Sequence, residues 1–391
     1  MTAVNLLYNV GSRDESATCT GLAHLFEHLM FGGSVSAKDY DGPLQQAGGE
    51  NNAFTNSDIT NYYITIPAVN IETALWLESD RMRGLRLNKR SLNVQRKVVV
   101  EEFKETCLNE PYGDVWHLLS SMAYKTHPYR WPTIGLVPEH VEQVTLPIAQ
   151  DFYDTYYSPN NCILSISGAI KYDEVLPLVE KWFGNLAPSE IPERQLPTEP
   201  PQNEHRRLIH RGNVPIGALY MTFHMAARTD DKFYIADLLS DVLSNGDSSR
   251  LYVRLVKEQR VFSTIDAFVG GSFDPGLFVI EGKPAEGHTL ADCETAIWKE
   301  LEILKTALVS EHELQKLKNK VESNLMFSEG GALNKAMNLA FFEAIGQPEL
   351  INNEVEYYNA ITPTLLQDMA RSLFRPENCC VLHYEASAAT T

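Results

Sequence analysis

The stretch Gly21-Leu22-Ala23-His24-Leu25-Phe26-Glu27-His28-Leu29-Met30-Phe31, closed by Gly32-Gly33, decides how the rest of the chain is read. Its apolar residues recur at helical spacing, and the Gly-Gly pair ends it as helix C-termini prefer. On a helix, residues four apart project from one face, so His24 and His28 can both reach one metal ion. Neutral imidazole is a good zinc ligand, and two of them need only one or two further donors. Glu27 lies beside His28 and one turn from His24. A carboxylate there can take a proton from a zinc-activated water and later return it to a leaving amine. Two histidines sharing a surface helix by chance is the plain alternative, and the motif alone does not separate the two.

A third donor comes from Ser91–Asn109, which reads as a helix with Ser91 in the N-cap position. Leu92, Val99 and Phe103 define an apolar stripe on it, with Val98 further round. Glu102 falls between Val98 and Val99 inside that arc, whereas Glu101 points away. A carboxylate turned toward a core is costly unless it is paired or metal-bound. Glu102 is therefore the expected third ligand. Glu105, further along the same helix, is expected either to support the ligands or to face water.

Before this motif the chain opens on a strand, Val4–Val10, and a polar turn, Gly11–Ser16. A chain that enters a strand at once suggests that the first domain has an earlier strand upstream. Further on, Ala187–Glu204 holds five prolines and almost no large apolar residue, the composition of an exposed, semi-rigid linker. The expected division is a first domain over 1–187, a linker over 188–204 and a second domain over 205–391. The second part repeats the layout of the first: strand Gly217–His224, polar turn Arg228–Lys232, helix Phe233–Leu243, then Asn245-Gly246. Strands at Tyr62–Ile66, Cys162–Ser167 and Gly276–Glu281 alternate with helices such as Ile71–Arg83 and Glu311–Phe327. The fold class is α+β, with two homologous domains, each a mostly antiparallel sheet with helices packed on one face.

Composition excludes several roles. A formal charge of −18 argues against nucleic acid, which needs a basic face to meet phosphates. No window approaches the run of about 20 apolar residues that a membrane-spanning helix requires. The six cysteines lack the spacing of a structural zinc site and read as small buried hydrophobes. The first residues have no basic region followed by an apolar core, so they do not read as a secretory signal. The other nine histidines have no ligand spacing among themselves. Tyr124, His127, Tyr129 and Trp131 read as an ordered loop near the first domain's core.

The quoted stretch, together with Gly49-Glu50-Asn51-Asn52-Ala53-Phe54-Thr55 and Arg96-Lys97-Val98-Val99-Val100-Glu101-Glu102, resembles the inverted-motif (H-x-x-E-H) zinc peptidases. That family includes pitrilysin, insulin-degrading enzyme and the mitochondrial processing peptidase, and the chain looks closest to its short bacterial two-domain members. The resemblance implies a processing-peptidase-like metallohydrolase fold and one zinc ion per chain. It implies His24, His28 and Glu102 as ligands and Glu27 as general base. It also implies Asn52, Ala53 and Phe54 as a strand to which a peptide substrate adds. The residues agree, since Asn52–Thr55 is β-prone and follows Gly48-Gly49, which lets another backbone approach.

Two departures stand out. Where the family often has a supporting glutamate seven residues before the third ligand, this chain has Gln95, which can bond but carries no charge. Where active members place an Arg and a Tyr in the second domain, the matching positions are Leu255 and Phe262, with Arg254 one place off. Some bacterial relatives divide the zinc motif and the Arg/Tyr pair between two chains. The resemblance therefore implies a homodimer, or a heterodimer with an Arg/Tyr-type subunit; the sequence leaves the compartment open between bacterial cytoplasm and periplasm. The leading expectation is a zinc metalloendopeptidase acting on peptides or unfolded segments. A non-catalytic scaffold subunit of the same family is the alternative. A purely structural zinc leaves Glu27 without a task, and structural sites favour cysteine.

Overall fold

Along Thr2–Tyr8 (β1) every residue is buried, so this strand can only lie inside a sheet with both faces covered. It pairs antiparallel with Cys162–Gly168 on one side and Thr60–Ile66 on the other; Glu50–Thr55 pairs with the latter and forms an edge. Naming these Glu50–Thr55 (β2), Thr60–Ile66 (β3) and Cys162–Gly168 (β4), the order is β2-β3-β1-β4. Val4, Leu6 and Tyr8 turn to one face, where they share a core with Leu25, Phe26, Leu75, Val99 and Phe152. Those residues come from the helices Leu22–Leu29, Ile71–Arg83, Lys89–Phe103 and Leu146–Tyr156. On the opposite face one helix, Ala332–Ala344, lies across β1 and β4. Its small buried residues Ala336 and Ala340 allow the close approach, and Ser165 Oγ donates to Ala336 O at 2.6 Å.

The second sheet uses Arg206–Gly212 (β5), Ala218–His224 (β6), Phe262–Val269 (β7), Leu277–Pro284 (β8) and Cys379–Ala386 (β9) in the order β5-β9-β6-β8-β7. Only β5 and β9 run parallel; the other pairs are antiparallel. Leu219, Met221 and Phe223 of β6 pack against Leu239, Ile297 and Leu366. Those three sit on the helices Asp231–Ser244, Leu290–Thr306 and Pro363–Leu373. The other side of β6 and β9 carries the helix Val115–Ala123.

This computed structural model describes residues 1–387 and falls into two compact units. One comprises Met1–Leu108, His127–Thr198 and Met326–Ile351; the other comprises Asn109–Thr126, Glu199–Leu325 and the chain from Asn352 onward. The class is α+β, with helices clustered on one face of each mostly antiparallel sheet. The changeover at Thr198–Glu199 falls inside the proline-rich segment. The two units nevertheless exchange segments, so neither is a continuous half of the chain as the division 1–187, 188–204 and 205–391 supposes. The exchanged helices complete the second face of each sheet, a long-range task that local periodicity does not encode. Among the described residues, no helix is long and apolar enough to cross a membrane.

Candidate metal centre

The helix Leu22–Leu29 is amphipathic in the simplest way. Leu22, Leu25, Phe26 and Leu29 recur at helical spacing and are buried, leaving His24, Glu27 and His28 on the remaining face. Gly21 precedes it with φ +85°, and a Cβ there would meet Ile134 O at 2.6 Å, so glycine is required. Gly21 has no side chain with which to cap the helix. Glu15 does so instead: its Oε2 accepts from Gly21 N–H at 2.9 Å and its Oε1 from Ala23 N–H at 2.8 Å. Burial pushes this carboxyl up to about 8, against the opposing pull of those backbone donors.

The third residue comes from the helix Lys89–Phe103. Asn88 caps it, accepting from Arg90 N–H and Ser91 N–H, while Ser91 answers in a reciprocal box. Ser91 is thus one turn inside the helix rather than at its N-cap, and the α-helix stops at Phe103 before a π-turn over Lys104–Asn109. The expected stripe also shifts. Leu92, Val99, Val100 and Phe103 are buried, but Val98 faces water, so Glu102 sits at the border of the arc rather than within it. A border position suits a ligand, which must reach a site and still leave substrate access.

His24 Nε2 and His28 Nε2 lie 3.3 Å apart, and Glu102 approaches them at 3.6 Å and 3.2 Å respectively. Two donors ~2.1 Å from one ion at the tetrahedral angle are about 3.4 Å apart, so the three atoms have the spacing of a tetrahedral dication's ligands. No Lys or Arg shares the cluster, and it is a possible metal-holding triad among the described residues. Burial lowers the His24 pKa, against the raising effect of Glu102, and favours the neutral ring that a metal requires. The His28 hydrogen bond holds Glu102 below its ordinary range, as a carboxylate.

Glu27 is fixed from the sheet: Thr55 Oγ1, at the end of β2, donates to Glu27 Oε2 at 2.6 Å. Asn52, Ala53 and Phe54 lie on the same edge strand. In the β2–β3 register Ala53 stands opposite Tyr62 and turns toward the helical core, so Asn52 and Phe54 turn to the other face. Gln95 is half-buried earlier on the Glu102 helix, and Glu105 is exposed in the π-turn. Among the described residues, no hydrogen bond joins either to His24, His28 or Glu102. Leu255 and Phe262 are buried in the second unit's core, which explains their apolar character. Tyr129 and Trp131 are buried as expected of an ordered loop; Tyr129 bonds Asp58 and Trp131 Nε1 donates to Ser12 O.

The largest structural feature missed in the sequence lies beneath the far end of the His24 helix. Arg81 is fully buried, forked onto Glu78 through Nε at 2.8 Å and a terminal nitrogen at 2.6 Å. Its guanidinium stands 4.1 Å from the Tyr62 ring centroid, 4.9 Å from Tyr40 and 5.6 Å from Phe31. Tyr40 OH donates to Glu78, and Tyr62 OH donates to Phe26 O on the His24 helix. The helix is therefore held at its start by Glu15 and near its end by the Arg81 cage. Only an unbalanced charge count within Glu78-Ser79-Asp80-Arg81 on an otherwise buried helix could have signalled this.

Comparison with known proteins agrees with this architecture. Residues 1–135 match the family described as Insulinase (Peptidase family M16), and residues 143–321 match the Peptidase M16 inactive domain. The chain is 31% identical to zinc protease PqqE of Helicobacter pylori over 81% of its own length and 72% of that protein. It is 24% identical to the uncharacterized zinc protease YmxG of Bacillus subtilis, over 97% and 92% respectively. It superposes on the crystal structure of a protease from Helicobacter pylori with a TM-score of 0.92 and 25% identity, covering 98% of this chain and 93% of that one.

Proposed function

The chain belongs to the insulinase family of peptidases, M16, and from that premise we propose that it is a zinc metalloendopeptidase subunit hydrolysing peptides or unfolded segments. The convergence of His24, His28 and Glu102 at ligand spacing carries this reading. These three residues would hold one zinc ion per chain, and the description of relatives as zinc proteases favours that metal. Zinc, when bound, supplies a Lewis acid for the scissile carbonyl and for water. Glu27 Oε1, left free where Thr55 occupies Oε2, accepts the proton of the attacking water and returns it to the leaving amine. Alternate residues of β2 turn their backbone N–H and C=O to its free edge; there Ala53, whose N–H now donates to Asn52 Oδ1 at 2.8 Å, can pair with an extended peptide, with Asn52 and Phe54 flanking it. Gln95 and Glu105 have supporting roles at most.

Leu255 and Phe262 are core residues, so they cannot hold a substrate. This favours assembly with a second family subunit that brings an Arg/Tyr pair, over a homodimer that would lack it. A scaffold role gains nothing from a site in which every ligand position is filled. The test is cleavage of a mixed peptide library by the zinc-loaded chain and by Glu27→Gln, each with and without an Arg/Tyr-type subunit. Zinc bound by both and cleavage lost in Glu27→Gln is the expected result. Equal cleavage by the two would overturn the assignment of the base.

A further inference from the structure

Ala53 and Thr55 alternate onto the helical face of β2, and the small Ala53 side chain lets the Leu22–Leu29 helix press close to the strand there. The Thr55 hydroxyl then meets Glu27 at 2.6 Å, within the range of a bond from a hydroxyl to an ionised carboxylate. Thr55 is itself fixed, paired with Thr60 of β3, whose Oγ1 donates to Val10 O at 2.9 Å. The bond therefore joins two stiff elements, a helix held at both ends and a strand locked in register.

We propose that Thr55 is a positioning residue for Glu27, and that β2 thereby sets the base and the docked peptide in one register. This rests on the reading of Glu27 as the base. A glutamate has three rotatable side-chain bonds, and a base must stay within about 3 Å of the proton that it takes. With Oε2 held by Thr55, Oε1 is the oxygen left for that task. Because β2 is also the edge strand, a peptide paired along it is placed relative to the strand that anchors the carboxylate. Substrate and base need not be positioned by separate devices.

The test compares Thr55→Val, which keeps shape and β propensity but loses the hydroxyl, with Thr55→Ser, which keeps it. In the zinc-loaded chain with its partner subunit, Thr55→Val lowers kcat by about 10–100-fold with KM unchanged, as loss of such a supporting partner does. Thr55→Ser restores most of the rate. Full kcat in Thr55→Val, or equal loss in Thr55→Ser, overturns the proposal. An independent measurement needs no activity: the unfolding midpoint of the metal-free chain in a double-mutant cycle with Glu27→Ala. Thr55→Val lowers the midpoint when Glu27 is present and has little effect when it is absent; additive effects overturn the proposal. A wild-type chain that binds zinc and cleaves nothing would count against the base reading, while the cycle still decides whether Thr55 fixes Glu27.

Discussion

The helix Leu22–Leu29 of the first unit and the helix Asp231–Ser244 of the second occupy matching places, each following an interior strand and packing on the helical side of its sheet. Each also carries titratable residues four apart on one face: His24 and His28 in the first, Asp237 and Asp241 in the second. Their surroundings differ. Tyr358 OH donates to Asp237 at 2.6 Å, and Asn245 Nδ2 donates to Asp241 at 2.5 Å. Each aspartate thus finds its own neutral donor, while burial raises both, Asp241 to about 6. In the first helix the lone-pair donors face one another and Glu102 instead. The frame supplies a polar helix face twice; only in the first do the donor atoms converge on one point, as ligands of a metal ion must.

The largest effect that separates the helices is catalytic. Glu27→Gln should lower peptide cleavage by about 10²–10⁴-fold with zinc retained, the usual contribution of a general base. Asp241→Asn in the matching helix should leave both zinc content and cleavage unchanged. Parallel assays of the two variants check the contrast, and a comparable loss in Asp241→Asn would break it.

Next come the buried arginines that brace the two units. Arg81 and Glu78 are fully excluded from water, whereas Arg228 and Glu354 keep side-chain exposures of 9% and 12%. Both guanidiniums stack on aromatic rings, Arg228 over Phe233 and Tyr234. Arg81→Leu strands Glu78 as an unpaired buried charge and should cost about 3–5 kcal/mol. Arg228→Leu should cost less, because water reaches its partner. Denaturant unfolding of the metal-free chain measures both, and the reverse order would show that burial is not what sets the scale.

The smallest effect is a pH slope. The folded chain holds the Glu15 proton up to about 8, whereas the ordinary carboxyl value is 4.5. Its unfolded-state proton is lost first, so this group's stabilisation is complete below 4.5 and fades as pH rises toward 8. The unfolding midpoint of the metal-free chain should fall across that window, and Glu15→Gln should flatten the fall. Asp241 adds a similar slope in the second unit, from 3.8 to about 6.

How far these features are legible in sequence follows from their range. His24, Glu27 and His28 declare themselves because one helix places all three. Glu102 is legible from its helix face, although Val98 is exposed and the buried arc is narrower than the apolar spacing implies. Strand positions such as Cys162–Gly168 and helix Ile71–Arg83 came close to their expected bounds. Thr55 reaching Glu27, Glu15 capping a helix six residues on, and the Arg81 cage were not visible. Each depends on two elements meeting in space, and neither element's periodicity records the other. The exchange of 109–126 and 326–351 between the units was hidden for the same reason, since a helix with small buried residues does not name the sheet that it will cover.

The measurement closest to the central claim is zinc stoichiometry by metal analysis after dialysis, on the wild-type chain, Glu27→Gln, and the ligand variants His24→Ala, His28→Ala and Glu102→Gln. One zinc per chain in the first two and its loss from the other three is the result expected. Zinc retained at full stoichiometry in any of those three would contradict the account.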